Sequence, residues 1–176
     1  MGGGQMPVMN RQRFRAQRGV SIVEALVALL VLSIGMLGIA VMYLESVKAN
    51  RTALSRTQAI QLVNDMADRI RANRGARDKY ALTASKKPTG DIDYCTKNNC
   101  TSDQLATYDL LQWVDAVDKT LPHGGDGKKP PVATISYTPG ASTTDPGRYT
   151  IETTWFDAGS EDPLSTRLEF MQLGTT

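Results

Sequence analysis

Histidine is almost missing from this chain. His123 stands alone, and Cys95 and Cys100 are the only cysteines. A structural zinc site generally draws four ligands from such residues, and no second cysteine pair joins CTKNNC to complete a set. His123 lies in the loop PHGGDGKKPP with no Ser, Cys or carboxylate arrangement that suggests catalysis, and it reads as solvent-exposed. Carboxylates paired at a recognisable spacing are also lacking. The expectation is therefore no enzyme, no metal and no cofactor. The loop glycines make no phosphate cradle, because no strand precedes them and the Gly-Lys-Ser/Thr ending is missing. A strong excess of one charge is lacking too. Twenty Lys and Arg against 18 Asp and Glu leave a net +2, and beyond the first residues the basic side chains are scattered. That balance is too even to argue for nucleic acid as a partner, and none is evident. No repeat appears, and 176 residues leave room for about one domain of usual size plus an anchor.

What the chain does have is one long apolar run. Between Ala25 and Leu44 there is no charge. Those residues as a helix rise about 30 Å, the thickness of the hydrocarbon core of a bilayer. Ahead of the run come Arg11, Arg13, Arg15 and Arg18 with no acid among them, and Met6 and Met9 are alternative initiators. By the positive-inside bias this end stays cytoplasmic and the remainder lies outside the inner membrane. A cleaved secretory signal and a plain single-pass anchor are two ordinary readings. Neither explains Glu24, which sits just inside the run. A carboxylate in a membrane helix costs roughly 2.5 kcal/mol or more unless it is paired or interfacial. Glu24 is thus either interfacial and harmless or held for a partner cation. Gly35 and Gly38 are poor helix residues. They are read either as close helix packing in the membrane or as a site where the helix loosens.

Gly19 followed by V-S-I-V-E and a long apolar helix resembles the class III signal of type IV pilins and pseudopilins. The resemblance implies cleavage by a prepilin peptidase between Gly19 and Val20, with the helix left in place, and N-methylation of the new amine on Val20. Val departs from the Phe usual at that position. Glu24 then falls on the family's glutamate, five residues into the mature chain. There it would neutralise the Val20 amine of a neighbouring subunit and enforce docking register.

From Glu45 to Asn73 the apolar residues Ala59, Leu62, Val63, Met66, Ala67 and Ile70 form a helical stripe, and no Pro or Gly intervenes before Gly75. This predicts one continuous helix of roughly fifty residues, far longer than usual. Arg56, Asp65, Asp68, Arg69 and Arg71 are expected on a solvated face, an oligomer contact being the other reading. The run NDMADRIRANRGA resembles the same position in PilV-like minor pilins, where the helix leads into the head.

Residues 75–94, with Lys86, Lys87, Pro88 and Gly90, read as a connector. In CTKNNC the spacing allows a small disulfide ring that pins the connector to the next helix, with free or redox-active thiols as the other reading. That helix starts at Thr101 or Ser102. Thr101 and Gln104 fit a capping box, and Asp103 suits the first turn. Leu110, Trp113, Val114, Val117 and Leu121 form its apolar stripe, Trp113 reading as core, and Pro122 stops it. Alternation predicts strands at 132–138, 148–156 and 166–173, an antiparallel meander packed on the second half of the long helix. An edge of that sheet could accept a neighbour.

The expected fold is thus α+β and type IV pilin-like, a long N-terminal helix packed on a small antiparallel sheet. The expected domains are a basic leader at 1–19, a transmembrane or filament-core segment at 20–44, an amphipathic segment at 45–74 and a periplasmic head at 75–176. The resemblance implies a minor pilin of a type IV pilus that helps initiate or modify assembly, and thereby attachment and twitching motility. Its implied partners are the prepilin peptidase, other major and minor pilins, and the assembly platform in the inner membrane. A minor pseudopilin of type II secretion shares the whole N-terminal logic. A single-pass, membrane-anchored periplasmic binding module is the reading from another class.

Overall fold

A computed structural model describes residues 19, 21–84, 88–125, 127–142, 145–157, 160 and 162–172. The leader arginines Arg11, Arg13, Arg15 and Arg18, the cleavage partner Val20, and Lys86 and Lys87 lie outside the described residues. The chain divides into two compact units between Leu44 and Glu45. Helix α1, Ile22–Ala72, runs for 51 residues and contributes to both. Its length follows from the absence of proline, and Gly35 and Gly38 are tolerated within it.

In the first unit every large apolar side chain of α1 faces open space. Even Leu32, the least exposed of them, is 55% exposed. Among the described residues α1 is the one helix long and apolar enough to cross a membrane. Ser33, the only uncharged polar side chain between Ile22 and Tyr43, donates its hydroxyl to the carbonyl of Leu30 at 2.8 Å, so its polarity is spent inside the helix.

The second unit has a single core. The stripe of α1 contributes Ala59, Val63, Met66, Ala67 and Ile70, all buried, as the helical period requires. Helix α3, Ser102–Thr120, contributes Ala106, Leu110, Trp113 and Val117. Its start is closed by the capping box. Thr101 Oγ1 accepts from the Gln104 amide, and the Gln104 side chain accepts from the Thr101 amide. The ring of Trp113 is buried, and its Nε1 donates to the carbonyl of Leu62 at 2.8 Å, which ties α3 to α1. His123 is exposed, with Nε2 3.2 Å from Asp118.

Strands β1 (Val132–Thr138), β2 (Gly147–Phe156) and β3 (Pro163–Gln172) form an antiparallel sheet in the order β1-β2-β3. The fold is therefore α+β, a long apolar N-terminal helix with a small three-stranded antiparallel sheet, as expected from the sequence. The buried face of β2 carries Tyr149, Ile151, Thr153 and Trp155, the period-two pattern read from the sequence. Two boundaries differ from expectation. β2 begins at Gly147, and β3 begins at Pro163, because Leu164 pairs with Trp155 and Pro163 with Phe156. A proline is admissible at the first residue of an edge strand, where no ladder amide is required.

The connector also needs correction. Residues Arg74–Tyr80 form a 3-10 helix that buries Ala76 and Tyr80, and Leu82 pairs with Ile135 of β1 as an isolated bridge. This stretch belongs to the core. It carries just enough apolar surface to be drawn in, and its backbone finds partners in β1.

Candidate functional site

The N-terminal segment holds the residues the sequence singles out. Gly19 is exposed, and a Cβ added there would meet nothing within 4 Å. Helix α1 opens just after it, with Ala25 N–H donating to the Ser21 carbonyl at 3.1 Å. Glu24 stands exposed in the first turn, the only charged side chain from Ile22 through Leu44. An acid there is favoured by the partial positive charge of the helix start. Ser21 and Glu24 also have the Ser-x-x-Glu spacing of a capping box, a local signal the sequence reading overlooked. At Gly35 and Gly38 a Cβ would likewise meet nothing within 4 Å, so no contact inside the chain requires their small size.

The described part of this segment therefore places an unpaired carboxylate at the head of a helix whose apolar surface is bare. Moving one Leu or Ile side chain of that kind from water into an apolar environment is worth about 1.5–3 kcal/mol. An apolar surface of that extent is favoured by cover from lipid or from other apolar groups.

A second cluster sits in the other unit and was not anticipated. Asp109 is buried on α3, on the same stripe as Trp113. Its Oδ2 accepts the hydroxyl of Tyr80 at 2.6 Å, and its Oδ1 accepts from Arg69 Nη1 at 3.1 Å. Asn73 Nδ2 donates to the Tyr80 oxygen at 3.1 Å and to the Ser102 carbonyl at 2.8 Å. Arg69 also meets Asp65 at 2.9 Å. Burial disfavours charge on Arg69, yet the bonds to Asp65 and then Asp109 outweigh it and hold its pKa above the ordinary value. Burial first, and then the bond to Asp109, push the Tyr80 phenol up. Arg69 is thus half a core residue, not part of a purely solvated face. A carboxylate in the apolar stripe of α3 was the available signal. The network closes the end of α1 onto α3 and the 3-10 helix, and it touches no cavity among those described.

Cys95, inside the short helix α2 (Tyr94–Lys97), forms a disulfide with Cys100, which directly precedes the cap of α3. No group of His, Cys, Asp and Glu among the described residues could hold a metal ion.

Two family models match the chain. One, described as type IV pilin Tt1218 (Tt1218-like), covers residues 41–111. The other, the prokaryotic N-terminal methylation motif, covers residues 14–40. No curated protein and no solved structure matches the chain. The methylation motif spans Gly19 and Glu24, and the pilin model spans the amphipathic part of α1, the 3-10 helix, the disulfide and the start of α3. Taken with the long apolar helix and the three-stranded sheet, the two adjoining matches support a type IV pilin.

Proposed function

We propose that this chain is a minor pilin of a type IV pilus, of the PilV type. It is made as a precursor in the inner membrane with its arginine-rich end cytoplasmic and its head periplasmic. Prepilin peptidase removes residues 1–19 and the Val20 amine is methylated. The observation that carries this reading is the bare apolar helix after Gly19 with the single acid Glu24 in its first turn.

Cleavage creates an ammonium at Val20. Glu24 of an incoming subunit neutralises that ammonium on a subunit already in place. In surroundings of low dielectric the attraction is strong and either charge left alone is heavily penalised, so only one docking register is stable. The apolar surface that lipid covers before assembly is covered by neighbouring pilin helices afterwards. The assembly platform in the inner membrane drives that transfer, and the pilus so formed serves attachment and twitching motility.

Mass spectrometry of the native N-terminus tests the reading directly. It should find the chain beginning at Val20 with one added methyl group and present in sheared surface fibres. A chain retaining its leader, and absent from fibres, refutes it. A deletion strain separates the pilus from type II secretion. Loss of fibres and twitching with normal protein export supports the pilin, and exoproteins trapped inside the envelope support the pseudopilin.

A further inference from the structure

At one end of the sheet lies a cavity of about 340 Å³. That is near the lower end of the ~300–1,000 Å³ typical of small-molecule sites. Arg74 and Arg77 of the 3-10 helix both line it, and neither forms an ion pair among the described residues. Asp145 supplies one carboxylate, so the lining carries one net positive charge. Tyr137 lines the cavity half-buried, and Tyr149 lies against Tyr137 with ring centroids 4.7 Å apart, itself buried and stacked on Phe170. Gln172 completes the lining. Its Nε2 donates to the Ile70 carbonyl at 3.2 Å, while its buried Oε1 has no hydrogen-bond partner among the described residues.

The wall of the cavity is closely packed at two glycines. Gly147 carries no side chain because a Cβ there would lie 2.5 Å from the ring of Tyr137. At Gly140 a Cβ would lie 2.6 Å from the Asp145 carbonyl oxygen. Arg77 has φ 39° and ψ −114°, a conformation that residues with a side chain rarely adopt. Its carbonyl is clamped by the hydroxyl of Tyr149 at 2.7 Å. Strain of this kind persists only where the surroundings enforce it, and it clusters at ligand sites.

We propose that this cavity binds a carboxylated saccharide. Arg74 and Arg77 bring two guanidinium side chains to the lining, and a guanidinium pairs with a carboxylate through two parallel hydrogen bonds. One net positive charge matches one carboxylate and is too little for a polyanion. The Asp145 carboxylate is an acceptor for sugar hydroxyls, and the half-buried Tyr137 ring supplies the amphipathic surface on which a pyranose packs. All of the cavity's lining residues belong to the second unit.

The test is calorimetric titration of the full mature protein in detergent micelles with the methyl glycoside of glucuronic acid. Methyl glucoside, inorganic phosphate and trialanine serve as competitors. The glucuronide should bind saturably and methyl glucoside should not, since the two differ only in the carboxylate. Arg74→Gln should weaken binding about tenfold, the loss of one charge-assisted contact. Arg77→Gly removes the second guanidinium while suiting the positive φ, so it should weaken binding without lowering the melting temperature. No saturable binding by the unaltered protein overturns the proposal. So does equal affinity in both variants. Phosphate or trialanine binding as tightly as the glucuronide overturns it as well, since the site would then take anions or peptide ends at large.

Discussion

Replacing Tyr80 by Phe removes a single oxygen from the centre of the second unit and leaves the ring in place. Tyr80 is fully buried. Its hydroxyl donates to Asp109 at 2.6 Å and accepts from Asn73 at 3.1 Å. Asn73 keeps its bond to the Ser102 carbonyl, so it loses little. Asp109 is left with Arg69 as its remaining side-chain donor, and its own side chain is only 9% exposed, so water is a poor replacement. A hydrogen bond to a charged group contributes about 1.5–3 kcal/mol. For a unit of this size each kcal/mol moves the melting temperature by roughly 3–5 °C, so a loss of about 2 kcal/mol lowers it by roughly 6–10 °C. The assay is tryptophan fluorescence, because Trp113 and Trp155 are buried in the same core and neither lies on the apolar half of α1. Alkaline pH adds a second readout. Burial, reinforced by Asp109, raises the folded-state pKa of Tyr80 above its unfolded value, and burial does the same for Tyr149. The neutral phenols are thus favoured by folding. Their contribution is complete below the unfolded pKa of about 10 and declines as pH rises beyond it towards the folded value. Tyr80→Phe should flatten part of that alkaline decline and leave the share of Tyr149. A variant that melts within about a degree of the parent at neutral pH, with the same alkaline decline, would refute the role assigned to the network.

Glu24→Ala should be cleaved and inserted normally yet be depleted from sheared fibres, measured by immunoblot of fibre and membrane fractions. Equal incorporation would remove the charge-pair argument. Gly19→Leu should leave the leader attached, visible as a larger chain on gels; normal processing would show that cleavage lies elsewhere. Gly147→Ala forces a Cβ to within 2.5 Å of the Tyr137 ring. It should destabilise by about 1–3 kcal/mol in a fluorescence melt, as overpacking does. Reducing the Cys95–Cys100 bond releases a very short loop, so the loss should be about 2 kcal/mol or less by the chain-entropy estimate. A loss well beyond that would mean the bond also holds the cap of α3.

How far the chain can be read without its structure depends on how local the cause is. Helix α1, the capping box at Thr101 and Gln104, and the alternation along β2 are legible because helical period, cap chemistry and strand period act between near neighbours. Gly19 and Glu24 stand out by the same kind of local signal, their spacing ahead of an apolar run. Tyr80, Leu82 and Asp109 were not legible in their roles. Tyr80 and Leu82 sit in a stretch with no period, and Asp109 is an acid whose burial makes sense only when Arg69, forty residues earlier, comes within hydrogen-bond reach. The cavity between the 3-10 helix and the sheet is the same case. Arg74, Tyr137 and Gln172 are far apart in sequence, and only the pairing of β1, β2 and β3 brings them to one wall. The sequence alone therefore determined the apolar rod, its single acid and the elements of the head. Tertiary structure decided which polar groups are buried and which side chains share a cavity, because those follow from long-range packing that no local pattern encodes.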